Sequence, residues 1–163
     1  MNARKTAIAW MTLSMALATA KAEEGLGLGV ILGEPTGISA KLWVHPSQAI
    51  DAAAAWSFTE NHSFQFHADY LFHAFDVLKV DPALGRLPLY WGVGGRVKLQ
   101  NHDYHQGRNN DDELLGVRFP VGMSLLFAKM PMDLFAEIVP ILDVVPDTDF
   151  ALNGAIGARF YFR

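Results

Sequence analysis

His67 and Asp69 stand two apart in an apolar run, so on a strand both would point to one face. With Ser57 or Ser124 nearby, they would supply the parts of a hydrolytic triad acting on lipid: a hydroxyl nucleophile, an imidazole base and an orienting carboxylate. The spacing places Ser124 toward one end of the fold and His67 near the middle. No Ser–His pair falls at a rim, so hydrogen bonding inside the fold is the stronger reading of His67, and the chain is expected to be a non-enzyme without a cofactor. A second group is His102, Asp103, His105, Asp111, Asp112 and Glu113. Two imidazoles three apart beside carboxylates match a divalent-cation site. A solvated loop has the same composition, so no metal is assigned to it. Gly92-Val93-Gly94-Gly95-Arg96 has the glycine content of a phosphate loop, but no helix follows it.

The third set is the most informative. Lys41, Asp51, Asp69, Arg96, Lys98, Arg118, Asp133, Glu137 and Arg159 are single charges, each set in a stretch whose alternate residues are apolar. Leu115, Val117, Phe119, Val121, Met123, Leu125 and Phe127 form one face, with Gly116, Arg118, Pro120, Gly122 and Ser124 between them. The same period of two runs through Leu87 to Leu99 and Phe150 to Phe162, and less strongly through Leu26 to Leu32, Ile38 to Val44, Ile50 to Phe58, Phe64 to Phe72 and Leu134 to Leu142. Eight strands are therefore expected.

The two faces differ in kind. One is broad, apolar and aromatic and carries no charge. The other holds the single charges among Gly, Ala and Ser. A soluble sandwich would place abundant charge on its solvent face. The pattern here is the inverse, that of an antiparallel transmembrane β-barrel with lipid outside and a polar interior. Eight strands leave a lumen that side chains fill. Lys41, Asp51, Asp69, Arg96, Arg118, Asp133, Glu137 and Arg159 are expected to form an ion-pair network closing it, with no wide channel; a narrow ion path is the competing reading. Glu137 should contact Arg96, Arg118 or Arg159, Asp133 should lie opposite Arg159, and Lys41 diagonal to Asp51. Gly25, Gly27, Gly29, Gly92, Gly94 and Gly122 would leave room for long side chains.

Short turns at 33–37, 45–48, 59–62 and 128–131 contain the usual Gly, Pro, Asn and Ser. Residues 100–113 make a longer polar loop, which falls on the extracellular side if both termini are periplasmic and is the natural place for an extracellular partner. Residues 74–86 are too long for a periplasmic turn; they extend the flanking strands or form a small helix. Pro120 predicts a bulge or kink, and Pro140 an early end to its strand. Tyr70, Phe72, Trp91, Phe127, Phe160 and Phe162 fall at one membrane level and Trp56, Phe58, Phe64 and Phe66 at the other, as two interfacial girdles do. Trp43 has the inward parity.

Arg4 and Lys5, an apolar run over residues 6–20, and Ala20-Lys21-Ala22 have the order of a secretory signal peptide. The run is shorter than the roughly 20 residues of a spanning helix. Cleavage after Ala22 would leave residues 23–163 as one barrel domain. The full chain has 13 basic and 17 acidic residues; loss of Arg4, Lys5 and Lys21 leaves 10 basic and a formal charge of −7. An acidic exported protein lacks the positive field that nucleic acid requires. The absence of cysteine removes disulfides and thiolate metal sites from consideration.

Gly157, Phe160 and Phe162 resemble the C-terminal signal of bacterial outer-membrane barrels, a glycine followed by alternating aromatics ending in Phe. Ala155 and the trailing Arg163 depart from it. Residues 25–162 as a whole are similar to the small OmpA/OmpX/OmpW-like barrels, and Gly29 to Gly37 and Leu152 to Phe162 to a subgroup of short barrels without assigned activity. The resemblance implies the outer membrane of a Gram-negative bacterium, contact with membrane lipid and lipopolysaccharide, and recognition of the last strand by the barrel-assembly machinery. It leaves open a structural or surface-interaction role, a minor porin-like role, and an enzyme acting on lipid or lipopolysaccharide. A soluble lipocalin-like binding barrel is the remaining alternative; it would turn the aromatic face inward.

Overall fold

A computed structural model describes residues 25–34, 36–57, 63–100 and 112–162. The expected signal peptide at 1–22, most of the 100–113 loop with its two histidines, Phe58 and Arg163 lie outside them.

The described residues form ten strands: β1 (Leu26–Gly33), β2 (Thr36–His45), β3 (Gln48–Ser57), β4 (Ser63–Ala74), β5 (Gly85–Arg86), β6 (Leu89–Gln100), β7 (Asp112–Arg118), β8 (Val121–Phe127), β9 (Met132–Val145) and β10 (Asp149–Phe162). All pairings are antiparallel, and β10 pairs with both β9 and β1, so the sheet closes on itself. Closure removes the open edges at which sheets associate.

Two pairs of these strands are single staves interrupted by proline. Arg118 faces Ile141 and Val121 faces Ile138, so β7 and β8 keep one register against β9 across Phe119-Pro120. Phe119 N donates to Pro140 O at 2.9 Å, and Gly92 N donates to Pro120 O at 2.9 Å. The expected bulge at Pro120 is thus absent. The register shifts that do occur lie at Leu115/Gly116 and Trp43/His45. Likewise Arg86 faces Leu126 and Leu89 faces Met123, one register across Leu87-Pro88. Merging β5 with β6 and β7 with β8 gives eight staves.

One further expectation needs correction, and two open readings are decided. β9 passes through Pro140 to Val145 instead of ending early. A strand residue's N–H and C=O share one flank. Pro140 O still accepts from Phe119 N at 2.9 Å, so the register holds although the reciprocal bond, which would need a hydrogen on Pro140 N, is missing. Residues 74–86 contain no helix and instead extend the flanking strands: β4 continues to Ala74, and the fifth stave begins with β5 at Gly85, just after Leu84, whose carbonyl accepts from Ala128 N at 3.1 Å. The Gly92–Arg96 stretch is the interior of β6.

The faces separate as the alternation predicts. Leu28, Val30, Phe66, Val93, Val121, Ile138 and Ile156 are exposed on the outside. Trp43, Leu71, Tyr90, Phe135, Val139 and Tyr161 are buried inside with the charges. At the end that carries both ends of the described chain, Trp43, Ala49, Leu126 and Tyr161 cluster, and Phe75 packs against them from the β4–β5 connection.

Candidate functional site

The lumen brings together every charge singled out for it. Lys41, Asp51, Asp69, Arg96, Arg118, Asp133, Glu137 and Arg159 are all buried, and Asp143 joins them. Four cations thus face five anions. Lys98 is half-buried on the same face.

Nearest the 100–112 end, Arg96 Nε donates to Asp143 Oδ1 at 2.9 Å and its Nη2 to Asp143 Oδ2, a two-pronged pair that suits guanidinium and carboxylate planes. Its Nη1 reaches Gln65 Oε1 at 3.5 Å, and Gln65 Nε2 lies 3.4 Å from His67 Nδ1. In the middle, Arg118 Nε donates to both oxygens of Asp69 at 3.1 Å. Arg118 Nη2 is 3.8 Å from Glu137 Oε1, and Tyr90 donates to Glu137 Oε2 at 2.8 Å. Toward the chain-terminal end, Arg159 binds Asp51 through Nη2, Ser39 Oγ through Nε at 2.9 Å and Asp133 through Nη1 at 3.5 Å. Its guanidinium lies 3.8 Å over the Phe135 ring, and Tyr161 donates to Asp133 at 2.8 Å.

Local sequence makes this crowding feasible. A Cβ on Gly94 would come within 2.0 Å of Asp69 Oδ1, and one on Gly122 within 2.6 Å of the Tyr90 ring. Glycine at these two positions lets the Asp69 carboxylate and the Tyr90 ring of the neighbouring staves lie against the wall. Glu137 faces Gly122 on one side and Ala155 on the other.

Asp133 lies opposite Arg159 in the ladder. Lys41 stands directly opposite Asp51, not diagonal to it. Its ammonium nevertheless turns to His73 Nε2 at 2.8 Å, 4.0 Å from Asp133 and 4.6 Å above the Trp43 ring, because Arg159 occupies Asp51. Sequence reasoning did not include Asp143, Gln65, His73, Tyr90 or Tyr161 in the network. Asp143 shares the parity of Asp133 and Glu137 and was hidden only by ending the strand at Leu142.

The Ser57 side chain lies outside those described; Ser124, His67 and Asp69 do not assemble as a triad. Asp69 is engaged by Arg118, His67 by Gln65, and the buried Ser124 Oγ has no hydrogen-bond partner. At the C-terminal strand, Phe160 and Phe162 stack edge to face at 5.2 Å, while the Gly157 position lies against the Phe135 ring. Chemically the lumen is a set of mutually neutralised, mostly hydrogen-bonded ions.

No family model and no curated protein matches this chain. Among solved structures, the crystal structure of the N-terminal β-barrel domain of Pseudomonas aeruginosa OprF is similar, with a TM-score of 0.57 at 13% identity, covering 84% of this chain and 95% of that one. The likeness shows a β-barrel fold of the kind seen in that domain.

Proposed function

We propose that the protein spans the outer membrane of a Gram-negative bacterium as a non-enzymatic barrel with a structural or surface-interaction role, its lumen filled by charged side chains and lacking a wide channel. The observation that carries this reading is the inversion of the two faces. Ile138 is 59% exposed on the outer wall and Arg118 is 0% exposed inside. In water, an outer wall built of Leu, Ile, Val and Phe would be strongly unfavourable. In lipid it is the required arrangement, and a closed barrel leaves no backbone group unpaired against hydrocarbon. The same inversion argues against a lipocalin-like barrel, whose apolar face would line the interior.

Export through residues 1–22, recognition of Gly157, Phe160 and Phe162 by the assembly machinery, contact with membrane lipid and lipopolysaccharide, and an extracellular partner at residues 100–113 complete the proposal. The test is fractionation. The protein should float with outer membranes, resist carbonate extraction, and have an intact mass that begins at Glu23. Release by carbonate, or retention of Met1 in the membrane-bound form, contradicts it.

A further inference from the structure

β4 runs to Ala74, whose ladder partner is Leu89, and the chain then leaves the wall. Phe75, the first residue off the ladder, turns back over the lumen. It packs against the cluster of Trp43, Ala49, Leu126 and Tyr161 at the chain-terminal mouth. Trp43 and Tyr161 stand near the ends of β2 and β10, yet they are only 8% and 1% exposed. Beyond Phe75 the connection stands off the wall, and a cleft of about 550 Å³ lies between residues 78–82 and residues 126–128. It rejoins the ladder where Ala128 N donates to Leu84 O at 3.1 Å. The connection is thus tied at both ends and seated between them by one aromatic ring.

His73 links that ring to the ion-pair network. Its imidazole lies 4.4 Å from the Trp43 ring and 6.3 Å from the Phe75 ring, and those two are 6.3 Å apart, so the three rings pack as a triangle. Tyr90 borders it from β6 at 5.4 Å. Lys41 Nζ lies 2.8 Å from His73 Nε2. An ammonium only donates, so His73 must accept there, and it accepts only as a neutral ring. Among the described residues, the nearby carboxylates are already engaged. Asp133, 4.0 Å from Lys41, takes Tyr161 and Arg159; Asp51 takes Arg159; Glu137 takes Tyr90 and faces Arg118. On the connection, Asp76, Lys79 and Asp81 are exposed, and the Arg86 guanidinium lies 3.8 Å over the Phe75 ring.

We infer that the β4–β5 connection is an acid-released lid over the chain-terminal mouth of the lumen, with His73 as its latch. A proton on His73 sets two cations against each other at 2.8 Å, in a buried site where repulsion is poorly screened. The imidazolium leaves Lys41, the ring triangle loses a member, and Phe75 swings out with the connection. The closed lid holds His73 without its proton and the open lid lets it bind one. Acid therefore favours opening, by up to about tenfold per pH unit below the ordinary imidazole value of about 6.5. Release uncovers Trp43 and the Lys41 layer. The pairs made by Arg118 and Arg96 lie deeper and stay closed, so no channel forms. The inference needs a closed barrel and stands apart from the membrane reading.

The test is acrylamide quenching of Trp43 in the folded protein in neutral detergent. Trp10→Phe, Trp56→Phe and Trp91→Phe leave Trp43 as the one indole. In this parent, Trp43 should be shielded at about pH 7.5, and its Stern–Volmer constant should rise severalfold and reversibly at about pH 4.5. Phe75→Ala should expose Trp43 at both pH values. His73→Gln, whose amide oxygen accepts from Lys41 but takes up no proton, should abolish the pH dependence. Heat-dependent gel migration verifies that each variant is folded at each pH. A parent whose Trp43 is equally quenched at the two pH values overturns the acid release. Shielded Trp43 in Phe75→Ala overturns the lid. Acid exposure that persists in His73→Gln assigns the release to the carboxylates of the network and overturns the latch.

Discussion

Arg118 shows what a single buried charge demands. It is 0% exposed, bonded to Asp69 and within ion-pair reach of Glu137. Removing one member of a buried pair leaves the other uncompensated and typically costs about 3 to 5 kcal/mol. Asp69→Ala should therefore lower the denaturant midpoint far more than Lys129→Ala in the exposed β8–β9 turn, where about 0.5 kcal/mol or less is expected. Because the two side chains share one interaction, Asp69→Ala combined with Arg118→Ala should cost less than the sum of the single changes. Additive effects in one detergent system would show that the pair is not coupled. At this scale the sequence was legible as far as parity reaches: which charges point inward follows from a period of two. Which inward charge meets which does not, since Lys41 lies opposite Asp51 yet bonds His73. The reach of long side chains across the lumen is set by the whole ring of staves and not by any one ladder.

Strands were easier to foresee than their interruptions. A proline predicts a lost donor, and from that the sequence suggests a bulge at 120 and a strand end at 140. The closed ladder absorbs both losses. Neighbouring carbonyls still accept on either side, and the register on each flank holds. Glycine placement offers the sharper test of a stave. An added methyl at Gly122 meets Ala136 O at 2.4 Å and the Tyr90 ring, whereas at Gly95 on the outer face the nearest atom is 3.7 Å away. Gly122→Ala should destabilise the barrel by about 1 to 3 kcal/mol through overpacking. Gly95→Ala should be neutral or slightly stabilising, because glycine weakens a strand interior. Comparable unfolding midpoints for the two variants would refute the assigned faces of β6 and β8. The last strand has its own expectation. Phe162→Ala should lower the amount of inserted protein in a pulse-labelled membrane assay, and unchanged insertion would remove the assembly role given to Phe160 and Phe162.

Across the described residues as a whole, the interior combines an ion-pair network with two small apolar clusters, and the broad apolar surface faces outward. The barrel and its handling of charge were readable because inversion is a property of the whole alternation and survives errors at single strands. The β4–β5 connection was not readable, since residues 75–84 have neither period and find their place by packing Phe75 under Trp43 and beside Arg86. A closed ladder should also resist cold detergent, so the unheated protein should migrate differently from the boiled one on a gel; identical migration would contradict closure. The most direct measurement of the central claim uses the absence of cysteine. A nitroxide attached at Ile138→Cys reports the outer wall, and one at Met130→Cys reports the β8–β9 turn. In lipid vesicles the label at 138 should collide with dissolved oxygen and be shielded from a water-soluble nickel chelate, while the label at 130 should meet the chelate readily. Equal access of the chelate to both positions would show that the apolar wall does not face lipid.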